Sequence, residues 1–329
     1  MARRAASHAG SWYSSSNSTL SSQLDEWLDQ VPDSIDDAGK LPPSGARMII
    51  APHAGYSYSG PAAAWAYKSL DLTNAKRIFL LGPSHHIYLS GCALSACDSY
   101  ETPLGDLKLD KKTISELHTT KKFDTMSLQT DENEHSLEMH LPYIYKVLSR
   151  AFSNDPTSFP DLIPILVGAT SAVLERTYGA LLLPYLRDPT SVFIVSSDFC
   201  HWGLRFNYTY YLPVSLYSAA PRHLRAKDAP PSSPPIHESI ARLDKMAMDA
   251  IEAGRHEGFL EVLKETGNTV CGRHPIGVMM AGLDKWEAEE GGKAGGKKGR
   301  FKFVRYERSS DVTKVNESSV SYASAFAQL

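Results

Sequence analysis

Histidine carries the chemistry in this sequence of 329 residues, because several of its twelve copies sit in short runs beside cysteine, aspartate and glycine. Four runs stand out: Ala51-Pro52-His53-Ala54-Gly55, Gly82-Pro83-Ser84-His85-His86, Ser197-Asp198-Phe199-Cys200-His201, and Cys271-Gly272-Arg273-His274. A neutral imidazole binds zinc, copper or iron, and near neutral pH it also moves protons. His53 alone equally suits a loop residue bonded to a nearby carbonyl. His85 and His86 are adjacent, so on extended backbone they point to opposite sides and one of them faces any shared centre.

Asp198 and His201 lie three positions apart, a spacing that lets a carboxylate fix the imidazole's tautomer and raise its basicity. The same spacing equally suits an aspartate capping a helix beside an exposed histidine. Cys271 precedes Arg273 and His274, and cationic neighbours favour the thiolate that binds metals. A small buried apolar side chain is the competing reading. The acidic run Asp131 to Pro142 carries Glu132, Glu134 and Glu138 with His135 and His140. It reads as support for ligands elsewhere, or as an acid-rich helix start that complements the helix dipole. No His-Glu-x-x-His, paired Cys-x-x-Cys, P-loop or dinucleotide glycine fingerprint occurs, which removes the commonest zinc, nucleotide and NAD chemistries.

These runs need elements to hold them. Short apolar stretches at Met48 to Ala51, Arg77 to Leu81, Leu162 to Val167 and Ser191 to Val195 predict strands buried on both faces. Leu20 to Val31, Ser136 to Leu148 and Ile236 to Ile251 repeat the apolar spacing of amphipathic helices. Strands alternating with helices predict an α/β layered fold, and all four histidine runs are expected just past strand ends, where open α/β sheets collect their ligands. Strand-like segments at Phe301 to Val304 and Val320 to Tyr322 belong to the same sheet. One domain over 1–329 is expected, with surface-loop insertions at 213–235, which is proline-rich, and at 288–300, which is rich in glycine and lysine.

With 34 Lys+Arg against 37 Asp+Glu, the formal charge is −3, so no basic field holds nucleic acid. Apolar runs fall short of the ~20 residues of a membrane span. Four scattered cysteines read as reduced thiols of a cytosolic protein, and Arg3-Arg4 is not followed by the apolar core of a secretion signal.

Seven ordered blocks closely resemble the Memo family, named for mediating ErbB-driven cell motility. They are His8 to Tyr13, Ala51 to Tyr56, Leu81 to His86, Ser127 to Glu132, Glu134 to Pro142, Ser196 to Gly203 and Cys271 to Gly277. The resemblance implies a single α/β domain with a mixed central sheet between helical layers, like class III LigB-type extradiol dioxygenases. It also implies a metal site at His53, His85 and Cys271, catalytic pocket residues Asp198 and His201, and aromatic residues Trp12 and Tyr58 at the pocket mouth. Those dioxygenases complete a two-histidine iron site with a glutamate, where this chain offers Cys271. A thiolate is soft and favours copper, while iron remains compatible. The implied function is metal-dependent reduction of O2 at a single copper or iron ion, with reactive oxygen species as product, linked to signalling and cell motility. The alternative is an adaptor that binds phosphotyrosine-containing peptides in the same pocket. The expected location is the cytoplasm, with the nucleus left open.

Overall fold

The computed structural model describes residues 2–36, 38–213, 220–290 and 299–329. Among them, nine strands form one mixed sheet: β1 (Ala46–Ala51), β2 (Arg77–Pro83), β3 (Cys92–Ser95), β4 (Phe123–Met126), β5 (Asp161–Val167), β6 (Ser191–Ser196), β7 (His201–Trp202), β8 (Phe301–Arg308) and β9 (Ser319–Gln328). Their order in space is β7-β9-β1-β6-β2-β5-β3-β4, and β8 also pairs with β9. The four central strands β1, β6, β2 and β5 run parallel, so their carboxyl ends open on the same side. β3 and β9 flank them antiparallel.

Apolar sequence without alternation forces both faces of the central strands under cover. Every residue of β1 and β6 is buried, and Phe79 and Phe193 stack on neighbouring strands with ring centroids 4.9 Å apart. The cover comes from α1 (Asn17–Gln30), α2 (Tyr56–Lys68), α3 (His135–Glu138), α4 (Leu141–Ala151), α5 (Ala172–Arg187), α6 (Ile236–Ala253), α7 (His256–Thr266) and α8 (Arg273–Glu289). In α1, Ser16 caps the Thr19 amide, and Leu20, Leu24 and Leu28 form the buried stripe that its spacing predicts. Helices α1, α2 and α4 pack together, with α2 against β1, β8 and β9; α8 packs on α5 and α7 and against β2 and β6. This is the expected single α/β domain with a mixed sheet between helices.

Two expectations change. The helix predicted over Ser136 to Leu148 is interrupted at Met139 and His140, because Pro142 has no amide to offer Glu138 and suits only the first turn of a new helix. The strand predicted at Val320 to Tyr322 extends to Gln328 through Ala- and Ser-rich sequence of low strand propensity. Of the segments expected as insertions, residues 214–219 and 291–298 lie outside the described residues. Within the first segment Leu224 is buried, and it joins an apolar cluster with Trp202, Tyr211 and Ile236.

The amino-terminal segment is tied to the acidic run by a fully buried guanidinium. Arg4 pairs with Glu138 at 2.7 Å and Asp131 at 3.2 Å, and donates to the carbonyls of Asp131 and Glu134. Removing one member of a buried ion pair leaves charge without its counter-charge. Arg4→Ala is therefore expected to destabilise the fold by about 3–5 kcal/mol in urea unfolding; a loss under about 1 kcal/mol, the range of exposed pairs, would contradict this role.

Candidate metal centre

The parallel strands position the histidine runs. β1, β6 and β2 are consecutive in the sheet, so the loops leaving Ala51, Ser196 and Pro83 emerge side by side. They carry His53, Asp198 with His201, and His85. The first residue of α3 is His135, brought in because Gly82 lets Ser136 close onto β2: a Cβ at Gly82 would meet Ser136 Oγ at 2.6 Å. Ser136 Oγ donates to the Pro83 carbonyl. On the other side, Gly272 admits the start of α8 against Ser196 and Ser197, where a Cβ would come within 2.3 Å of both. That approach places Cys271 beside Asp198.

The donor atoms of His53, His85 and His135 all lie within 4.8 Å of one another. Two of these rings have their tautomers set by what they touch. Ser196 Oγ donates to the Ser136 carbonyl and so accepts from His53 Nδ1 at 2.6 Å, which leaves a lone pair on His53 Nε2. Glu134 is 1% exposed, and it accepts from the His85 amide at 2.7 Å and from His85 Nδ1 at 2.9 Å, so Nε2 of His85 is also free to donate electrons. Burial, with His85 and His135 close by, holds the His53 imidazole well below its ordinary pKa, and burial first of all pulls His135 down to about 3. Both rings are neutral at physiological pH, as ligation requires. Three imidazoles whose donor atoms lie this close fit a transition-metal ion.

Cys271 Sγ lies 3.2 Å from His53 Nε2 and accepts from the Asp198 amide at 3.2 Å. It touches the histidine group through His53 and lies outside the set of mutually close donors. Burial and the Asp198 carboxylate push its thiol well up. The lowering expected from Arg273 and His274 is absent, because His274 turns to Glu175 at 2.8 Å and Arg273 donates to His274. A bound cation would be needed to favour the thiolate.

Asp198 is buried and accepts from the His53 amide at 2.9 Å, so it pins the backbone of His53 and caps no helix. Burial raises its pKa against the pull of His201. The tautomer of His201 is set by the carbonyls of Phe199 and Thr269, at 2.9 and 3.2 Å from Nδ1, and not by Asp198 as the spacing suggested. His201 Nε2 is thereby left available for proton transfer.

His53, His85, His135, Asp198 and His201 line one cavity of about 710 Å³. Trp12, 37% exposed, and Tyr58, 59% exposed, stand at its mouth, and the Trp12 ring lies 4.5 Å from that of His135. Arg205 and Phe206 share the mouth, with the guanidinium 4.4 Å from the ring centroid. A second cavity of about 330 Å³ is lined by His85, Cys271, Arg273 and His274, so His85 borders both. The sequence reading did not single out His135 among the converging donors or Arg205 at the mouth. The signal for His135 was Glu134 beside it, the carboxylate that accepts from His85 Nδ1.

A family profile described as Memo-like protein matches residues 4–326. The chain is 47% identical to Protein MEMO1 of Homo sapiens over 320 residues, covering 97% of this chain and 95% of that one, and the same figures hold for Protein MEMO1 of Xenopus laevis. Protein memo-1 homolog of Caenorhabditis elegans is 41% identical over 322 residues, covering 98% of this chain and 81% of its own.

Hydrogen bonds from His85 help hold the buried Glu134 carboxyl at about 2, against an ordinary 4.5 and despite the opposing cost of burial. A lowered carboxyl pKa gives stabilisation that is complete above the unfolded value and is lost as pH falls through the folded one. Glu134→Gln is expected to reduce stability at pH 7 by up to about 3 kcal/mol. It should also flatten the decline in stability between pH 4.5 and about 2. Urea unfolding of both proteins across that range checks this, and identical pH profiles would contradict it.

Proposed function

The chain belongs to the Memo-like family, and from that premise we propose that its pocket is a metal-dependent redox site. In this reading it holds one copper or iron ion and reduces O2, in a role linked to signalling and cell motility. The observation that most supports it is the convergence of donor atoms from His53, His85 and His135 within 4.8 Å, with Cys271 in contact with His53. A bound copper or iron ion would supply one-electron chemistry toward O2, with electrons from an external reductant.

The protein's own groups do the rest. Ser196 and Glu134 fix His53 and His85 in the tautomers that bind metal. Cys271 adds a soft donor that favours Cu(I) over harder cations. Asp198 holds the His53 backbone in register with β6. His201 gives or takes a proton through Nε2, since Nδ1 is committed to backbone carbonyls. Trp12 and Tyr58 narrow the access of water and solutes to the imidazoles.

One observation favours a second reading, in which the same pocket receives phosphotyrosine-containing peptides. Arg205 stands at the mouth with Tyr58, Phe206, Ser309 and Ser310, an arrangement of guanidinium, rings and hydroxyls suited to an aromatic phosphate. Arg273, the arginine nearest the runs in sequence, lines the neighbouring cavity instead.

Anaerobic competition titrations test the first reading. The wild type should bind one Cu(I), and His53→Ala should lose affinity for Cu(I) and Fe(II) together. Cys271→Ala should lower Cu(I) affinity by at least about tenfold and Fe(II) affinity less, because only the soft ion depends on sulfur. Unchanged binding in His53→Ala would overturn the metal pocket. For the second reading, calorimetry with a phosphotyrosine peptide should show weaker binding in Arg205→Ala; equal binding removes it.

A further inference from the structure

His86, Glu134 and His135 form a second group whose donor atoms lie within 4.8 Å of one another, outer in that its His86 is exposed where His53 of the first group is buried. His135 is common to both groups, and an imidazole has two ring nitrogens able to bind on opposite sides. Its Nδ1 lies 3.5 Å from Glu134 Oε1. The His86 ring is exposed and stands edge-on to His135, with centroids 5.8 Å apart; among the described residues it makes no hydrogen bond. A carboxylate offers about four acceptor positions. Glu134 uses three of them, on the His85 amide, His85 Nδ1 and the Ser136 amide, which leaves one for a cation.

The two groups differ in donor chemistry. The inner one presents three imidazoles beside a thiol and suits a soft ion. The outer one presents two imidazoles and a carboxylate, with solvent free to fill the remaining positions, and this set suits harder divalent ions of the first transition row. We propose that His86, Glu134 and His135 form a second, outer metal site for a divalent cation such as Co2+, Zn2+ or Fe2+, with His135 shared between the two sites. This adds a site to the pocket described above and does not require the inner ion to be redox-active.

Equilibrium dialysis of the full chain against Co2+, read by elemental analysis and by the visible d–d spectrum, tests the assignment. The wild type should take up two equivalents, with two spectral components. His86→Ala, at an exposed position that the fold does not need, should keep one equivalent and lose one component. The double variant His53→Ala with Cys271→Ala should lose the other. A single equivalent in wild type that His86→Ala retains and the double variant loses overturns the outer site and leaves the inner reading standing. A single equivalent abolished by His86→Ala and kept by the double variant supports the outer site and shows that the inner donors do not take Co2+. No uptake by any of the proteins overturns the outer site.

Discussion

The carboxylate of Glu134 is the interaction on which the site depends. It is buried and charged, and such a group survives only where hydrogen bonds and counter-charge meet it. Both of its oxygens are bonded to His85, through the backbone amide and the ring, and one also takes the Ser136 amide. In doing so it joins two segments that the sheet does not connect, the loop after β2 and the turn into α3. His85 is oriented by this bond, and His135, the next residue in the chain, is carried with it to His53. The Glu134 carbonyl is in turn held by Arg4, so the amino-terminal segment reports on the same point.

The remaining order comes from the sheet. Parallel strands deliver their following loops to one side, and β1, β6 and β2 are consecutive, so the loops carrying His53, Asp198 and His85 need no long excursions to meet. Ser196, the last residue of β6, orients His53, and Asp198, two residues on, fixes its backbone. Close approach at Gly82 and Gly272 brings in the two segments that lie outside this strand order, one with His135 and one with Cys271. The result is a partly open cluster of imidazoles with a protonated thiol at its edge, an arrangement whose donor character a cation would change most at the sulfur.

Much of this was legible in the sequence, for a physical reason. Apolar strands of six or seven residues followed closely by Pro-His, Ser-His or Asp-x-x-His place those side chains at strand ends whatever the detailed topology, and His53, His85, Asp198 and His201 all line one cavity. His135 was not legible because it opens a four-residue helix, where periodicity says nothing about direction, and Pro142 divides what reads as one amphipathic run. The setting of Cys271 was misread because neighbours in sequence stood in for neighbours in space: Arg273 and His274 engage each other and Glu175, whereas Asp198 lies beside the sulfur. Arg205 lies on a surface turn with no periodic signal, and only the fold shows that this turn borders the mouth.

The central claim is that His53, His85 and His135, with Cys271 beside them, hold one soft metal ion. X-ray absorption at the copper edge of anaerobically loaded Cu(I) protein measures the donor set directly. The account predicts the multiple-scattering pattern of imidazole together with one sulfur neighbour, and loss of the sulfur component in Cys271→Ala. A spectrum of oxygen donors alone, without imidazole scattering, would contradict it.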